Sequence, residues 1–167
     1  LSVIDLLGRI IRPNDAVMGE VPHLAGFHDV SDWEGAVTRP GLVIYRYDAP
    51  LCFANAEHFE QRCLEALEAE QGRSPEPVRW LLLNAEAIVD IDSTAAAKLQ
   101  ELIVTLEQRG IRVALARVKQ DLYATLQRAG LVERIGSPWI FPTIGTAVAA
   151  YEQEPAGSQR LPAAPPA

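Results

Sequence analysis

The sequence is poor in the residues that usually carry metal, disulfide and nucleotide chemistry. Its two cysteines, Cys52 and Cys63, lie in apolar surroundings, which is typical of buried free thiols in a reducing compartment and disfavours a disulfide scaffold or a zinc site. The histidines, His23, His28 and His58, do not have a metal-ligand spacing. No glycine-rich motif of the G-x-G-x-x-G or G-x-x-x-x-G-K-[ST] type occurs. We therefore predict no metal site, and nucleotide binding has no motif to support it.

Positive charge is also scarce, which argues against a nucleic-acid partner. Lys and Arg number 15 against 22 Asp and Glu, giving a net charge of −7, and the basic residues are dispersed where a phosphate backbone requires a cluster. No signal-peptide pattern is found. What the chain does have is 49% hydrophobic residues in a length of 167, which suits one domain with a proper core.

The two ends differ from the middle of the chain. Leu1 to Leu7 is apolar but too short to span a bilayer, and Arg9 and Arg12 follow it, as at the cytoplasmic end of a membrane helix. A short amphipathic helix is the alternative interpretation. Residues 13–40 contain several Pro and Gly and are predicted to be a linker or extended arm, and residues 153–167 to be a disordered tail.

Between these ends, strand and helix patterns alternate and predict an α/β fold with one sheet and right-handed crossovers. Strands are predicted at 42–47, 51–54, 78–83, 111–118 and 139–141, with the first two forming a hairpin. Helices are predicted to begin at Asn55, Ser93, about Leu122 and Thr143, and Gly110 and Gly130 are predicted to end the second and third of them.

The most informative stretch is V-D-I-D-S-T-A-A-A-K-L, residues 89–99. It places Asp92, Ser93 and Thr94 at a helix N-terminus, where unpaired N–H groups and the helix dipole suit a cap, an anion or a phosphorylated hydroxyl. A nucleophilic role for Ser93 is disfavoured because the flanking glycines of a nucleophile elbow are missing. Asp90 and Asp92 could form an acid/base or Mg²⁺ pair, but Asp92 is better explained as the N-cap. We predict no catalytic residues and no enzymatic activity.

These residues resemble a STAS domain, the module shared by anti-sigma factor antagonists and the C-terminal part of SulP-type sulfate permeases. The resemblance rests on Asp92, Ser93 and Thr94, on L-L-L-N-A-E-A-I-V-D-I-D before them and on R-G-I-R-V-A-L-A-R-V after them, and it covers residues 41–152. The stretch from Tyr45 to Phe59 and the segment L-S-V-I-D-L-L-G-R-I-I-R-P are similar to the permease branch in particular.

The resemblance implies a four- to five-stranded mixed sheet with flanking helices, on the cytoplasmic face of the membrane. Residues 1–12 would then be the juxtamembrane end of the last membrane helix. The domain would be a non-catalytic regulatory module whose partners are its own transmembrane permease and a cytosolic regulatory protein. The alternative is a freestanding anti-sigma factor antagonist switched by phosphorylation.

The resemblance also implies where regulation would act. The hydroxyl that antagonists phosphorylate corresponds to Thr94, with Ser93 as the second candidate, although Ala95 and Ala96 stand where antagonists have Gly-Leu. GTP or ATP, if bound, would contact the helix start formed by Asp92, Ser93, Thr94 and Ala95.

Overall fold

The computed structural model describes residues 2–155. Its helices are α1 (Val3–Ile11), α2 (Ala56–Arg73), α3 (Ser93–Gln108), α4 (Gln120–Arg128), α5 (Leu131–Ile135) and α6 (Ile144–Gln153). Its strands are β1 (Asp15–Glu20), β2 (Phe27–Asp29), β3 (Leu42–Tyr47), β4 (Trp80–Asn84), β5 (Arg112–Ala116) and β6 (Ile140–Phe141).

Within residues 2–155 the strands form one six-stranded mixed sheet in the order β2-β1-β3-β4-β5-β6. Strands β3 to β6 run parallel, and β1 pairs antiparallel with both β3 and β2. Strand β4 is buried along its whole length, as its apolar run W-L-L-L requires of a strand covered on both faces. The α/β fold class is confirmed, with more strands than the four or five expected.

The sheet has a separate hydrophobic core on each face. The larger core contains side chains of β3, β4 and β5 packed with those of α2, α3, α4 and α5. The smaller one contains the alternate side chains of the same strands packed with α6, including Trp80, Leu82 and Val148. Each central strand therefore contributes to both cores, because successive side chains point to opposite faces.

Two sequence predictions in the N-terminal half are wrong. Residues 13–40 are not simply a linker, because they contain β1 and β2, and β1 is a full member of the sheet. Residues 51–54 do not form the second strand of a hairpin. Leu51 instead makes an isolated parallel bridge with Ile91, and the chain turns directly into α2.

Helix α1 is short and amphipathic, and none of its nine residues is buried. Among residues 2–155 we find no helix with the length and apolar character needed to cross a bilayer. At the other end of the chain, α6 extends to Gln153, the first residue of the predicted tail. The predicted disorder of the tail lies mostly outside the described residues.

Candidate functional site

The start of α3 is built around the carboxylate of Asp92. Asp92 is the N-cap of α3, where the sequence interpretation placed it, and its Oδ1 accepts a hydrogen bond of 2.8 Å from the backbone N–H of Ala95. Its Oδ2 accepts a second bond of 2.7 Å from the N–H of Phe53, in the loop between β3 and α2. One side chain therefore caps a helix and joins two loops at the carboxyl edge of the sheet.

Backbone hydrogen bonds strengthen this junction. The N–H of Leu51 donates to the carbonyl of Asp90 (3.0 Å), and the N–H of Asp92 donates to the carbonyl of Leu51 (3.0 Å). Asn55, fully buried, accepts from the N–H of Cys52 and donates to the carbonyls of Pro50 and Ile10. The two loops and the end of α1 are thus held in one arrangement.

Ser93 and Thr94 lie exposed beside this junction, in an open groove between the starts of α2 and α3. The groove is lined by Phe53, Ala56, Glu57, Ser93, Thr94, Ala97, Lys98 and Glu101. The Phe53 side chain is 76% exposed, although burying an aromatic ring of this size is strongly favourable. An exposed aromatic ring next to two exposed hydroxyls is the composition of a contact surface.

The charges around the groove are mainly negative. Lys98 Nζ lies 2.9 Å from Glu60 Oε2 and 3.6 Å from Glu101 Oε2, and the hydrogen bond with Glu60 raises the pKa of Lys98. Its charge is thereby matched by carboxylates, and the groove also carries Glu57 and lies beside Asp92. A cationic or apolar partner suits this surface better than an anionic ligand.

A second polar cluster, formed by Asp15, Tyr45 and Arg62, fixes β1 against β3 and α2. The Tyr45 hydroxyl donates to Asp15 Oδ2 (2.6 Å), and Arg62 donates to both Asp15 oxygens (2.6 and 3.2 Å). Burial raises the pKa of Asp15, but the hydrogen bonds from Arg62 and Tyr45 outweigh it and the pKa lies below its usual value. The cluster holds the N-terminal strand in the sheet.

The residues considered for catalysis or metal binding are used in other ways. Asp90 Oδ1 accepts from the N–H of Ile91, and His58 Nδ1 lies 2.9 Å from the Tyr47 hydroxyl. Cys63 is fully buried, which raises the pKa of its thiol. Within the described part of the chain, no group of three or more His, Cys, Asp or Glu side chains is placed to hold a metal ion.

Comparison of this chain with known proteins agrees with the observed fold. The family model described as STAS domain matches residues 35–147. The chain belongs to the STAS domain family. A relative from Mycobacterium tuberculosis, named probable sulfate transporter Rv1739c, is 48% identical over 153 residues, covering 92% of this chain and 27% of the relative. The STAS chain spans about a quarter of the length of the curated relatives it matches.

Two solved structures share the fold of this STAS domain. The murine Slc26a9 anion transporter matches with a TM-score of 0.75 and 22% identity, over 91% of this chain and 24% of that one. A sulfate transporter family protein from Wolinella succinogenes matches with a TM-score of 0.58 and 26% identity, over 71% of this chain and 90% of that one. The second match covers nearly all of a chain that is itself of domain size.

The sequence located the helix start correctly but missed what surrounds it. Asn55 is the N-cap residue of α2, where the sequence predicts that helix to begin, yet its side chain makes no capping bond and joins α1 to the loop before α2. The exposure of Phe53 was also missed, because a lone phenylalanine in an apolar stretch is usually buried. The run Cys52-Phe53-Ala54-Asn55 carries no local signal of this exposure, because the loop is held by the hydrogen bond from the N–H of Phe53 to the distant Asp92.

Proposed function

We propose that this STAS domain is the cytoplasmic regulatory and interaction domain of a SulP-type transporter of sulfate or a related anion, without catalytic activity of its own. The observation that carries the proposal is the groove at the carboxyl edge of the sheet, where Phe53 is 76% exposed beside the exposed Ser93 and Thr94. The 48% identical relative named a sulfate transporter supports the choice of membrane partner. That relative does not favour the alternative, a freestanding anti-sigma factor antagonist.

In this proposal the groove contacts the transmembrane permease of the same protein. The partner segment would insert an apolar side chain against Phe53 and Ala97 and present a basic residue to Glu57 or Glu101, because these residues line the groove. A cytosolic regulatory protein with the same chemistry would compete for the same groove. Either contact would change how readily the permease changes conformation during transport.

Regulation by phosphorylation at Thr94, or at Ser93, is part of the proposal. Thr94 is exposed in the first turn of α3, where the helix dipole favours a phosphate, but Asp92, Glu57 and Glu101 oppose added negative charge. The phosphate would therefore act mainly by altering the charge that the partner meets.

The experiment measures anion uptake by the full-length transporter that contains this domain. We expect Phe53→Ala and Thr94→Asp each to change the sulfate uptake rate several-fold, because both alter the groove and neither side chain belongs to the core. Gln100→Asp is the matched control, since it adds the same charge at another exposed position of α3 and is expected to leave uptake unchanged. Wild-type uptake in both groove variants contradicts the proposal.

Nucleotide binding at Asp92, Ser93, Thr94 and Ala95 stays a prediction with its own measurement. Titration of GTP or ATP into the domain, followed by the amide shifts of residues 92–98, would give a saturable response below millimolar concentration if the site exists. The carboxylate of Asp92 already accepts the N–H of Ala95, so a nucleotide phosphate would have to compete with it. A titration without saturation removes the prediction.

A further inference from the structure

Asn55 is a buried polar residue whose side chain joins the end of α1 to the loop between β3 and α2. It is 0% exposed. Its amide group donates to the carbonyls of Ile10 and Pro50, both at 2.9 Å, and accepts from the N–H of Cys52 at 2.9 Å. Breaking any of these bonds would leave a buried polar group unpaired, which is costly. The Ile10 carbonyl and the loop should therefore move together.

Helix α1 depends on hydrogen bonds for its place on the domain, because none of its nine residues is buried. Ile10 lies in its last turn, where carbonyls have no partner within the helix, so the Asn55 amide completes the end of α1 from outside. The chain just after the helix is tied to the same region, since the carbonyl of Asn14 accepts from the N–H of Asp48 (2.9 Å). The end of α1 is thus attached to residues 48–55.

The same loop is joined to the groove by Asp92. The N–H of Phe53 donates to Asp92 Oδ2 (2.7 Å), and Oδ1 of that carboxylate accepts from the N–H of Ala95 (2.8 Å) in the first turn of α3. Thr94 is exposed in that turn and lines the groove. A series of hydrogen bonds therefore leads from the start of α3, through the loop, to the end of α1.

Two events in the groove would act on this series of bonds. A negative charge at Thr94, such as a phosphate, lies two residues from the Asp92 carboxylate and opposes it, which weakens the charge-assisted bond to the N–H of Phe53. A docked partner would act on the loop directly, through the Phe53 ring that is 76% exposed. In both cases the loop is displaced at Phe53, and Asn55 carries the displacement to Ile10.

We propose that Asn55 is a coupling residue, which transmits phosphorylation or occupancy of the groove to the orientation of α1. The proposal rests on the proposed function, because it takes the groove as the site where a partner or a phosphate acts. Hydrogen-bond networks carry coupling when they have two discrete arrangements, and here these are the loop held by Asp92 and the loop released from it. Asn55 is buried and does not line the groove, so its role is to position other groups.

The test follows the backbone amide signals of the 167-residue chain by two-dimensional NMR, with Thr94→Asp as the added charge. We expect this variant to shift the signals of residues 51–55, because the charge weakens the bond from Asp92 to the loop. It should also shift the signals of residues 9–12, at the end of α1. Gln100→Asp adds the same charge at another exposed position of α3 and should shift neither group of signals.

Asn55→Ser should interrupt the coupling, because a serine side chain has one donor and cannot bind both carbonyls. In this background Thr94→Asp should still shift the signals of residues 51–53 and no longer those of residues 9–12. Asn84→Ser is the matched control, since Asn84 is also buried, at 2% exposed, but lies in β4 outside this series of bonds. In the Asn84→Ser background, Thr94→Asp should shift both groups of signals as in the wild type.

Asp92→Asn interrupts the series at its other end and decides the matter if Asn55→Ser does not fold. The new amide keeps one acceptor oxygen, so it loses its bond to Phe53 or to Ala95, and Thr94→Asp should then leave residues 9–12 unshifted. Shifts of residues 9–12 that persist in either background overturn the proposal. Failure of Thr94→Asp to shift these signals in the otherwise wild-type chain also overturns it.

The outcome is separable from that of the proposed function. If Thr94→Asp changes anion uptake without shifting the signals of residues 9–12, the groove acts by direct contact and only the coupling is wrong. If those signals shift while Phe53→Ala and Thr94→Asp both transport normally, the proposed function fails and the coupling stands.

Discussion

A single carboxylate, that of Asp92, holds two loops together at the carboxyl edge of the sheet. It caps α3 through Ala95 and also accepts the N–H of Phe53. We expect Asp92→Ala to lower the free energy of unfolding by about 1–3 kcal/mol, the sum of a lost N-cap and a lost charge-assisted hydrogen bond. Urea unfolding measures this value.

The neighbouring Asp90 provides the control for Asp92. It is exposed, and its carboxylate accepts a bond from the adjacent N–H of Ile91. Asp90→Ala should change the free energy of unfolding by less than about 0.5 kcal/mol, as surface substitutions usually do. Equal losses in the two variants would show that the link from Asp92 to Phe53 and Ala95 contributes nothing specific.

The second prediction at this scale concerns the pH dependence of Asp15. Because its pKa is lowered by folding, its charged form stabilises the native state above the unfolded pKa of about 3.9, and this stabilisation is lost as pH falls through the folded value. At pH 7, Asp15→Asn should lower the free energy of unfolding by about 1–3 kcal/mol. The difference from wild type should shrink between pH 5 and pH 3.

The control for Asp15 is Asp48→Asn, which removes a partly exposed ion pair with Arg46. A pair of this kind contributes less than about 1 kcal/mol, so little change is expected at any pH. Urea unfolding at pH 7, 5, 4 and 3 gives both series. A constant Asp15→Asn effect from pH 7 to pH 3 would contradict the assigned role of the charge.

Among the elements, β1 shows most clearly that tertiary contacts can override the preference of the local sequence. Its sequence, D-A-V-M-G-E, begins and ends with a carboxylate and contains glycine, all of which disfavour a strand. Ala16 and Met18 are nonetheless buried on one face, and Asp15 finds Tyr45 and Arg62. Those partners lie thirty or more residues away, so no local pattern could predict them.

The elements with strong local signals were predicted well. The apolar run of β4, the cap at Asp92, the left-handed Gly110 and Gly130, and the cap at Thr143 are all observed. Each depends on a few adjacent residues. The groove around Phe53 depends on the bond between Asp92 and a distant loop, which is why only one side of the candidate site could be predicted.

Gly19 tests whether β1 is packed as closely as the structure places it. A Cβ added there would lie 2.8 Å from the carbonyl oxygen of Val37 and 3.0 Å from Cγ1 of Val30. Gly19→Ala should therefore lower the free energy of unfolding by about 1–3 kcal/mol through overpacking. Gly72→Ala, in open space on α2, should raise it by about 0.5 kcal/mol through helix propensity. Two changes of the same sign would contradict the packing of β1.

At the scale of the whole molecule, different helices cover the two cores of the sheet. Helices α2 to α5 pack on the larger core, and α6 packs on the smaller one. Its side chains Ile144, Ala147, Val148 and Tyr151 are 0–7% exposed. Two hydrogen bonds add to this packing, from Trp80 Nε1 to Glu154 Oε2 (2.7 Å) and from the Tyr151 hydroxyl to the carbonyl of Pro40 (2.6 Å). The C-terminal segment therefore closes the domain against the start of β3 and the middle of the sheet.

A chain ending at Pro142 should accordingly lose most of its stability. Burial of Ile144, Val148 and Tyr151 contributes about 4.5–9 kcal/mol at 1.5–3 kcal/mol for each side chain, which is comparable to the total stability of an ordinary domain. A chain ending at Pro155 keeps α6 and should unfold cooperatively in urea like the full chain. In the shorter chain, the fluorescence of Trp80 should shift to longer wavelength without denaturant, because its ring would meet water. A cooperative transition of unchanged midpoint in that chain would show that the larger core suffices alone.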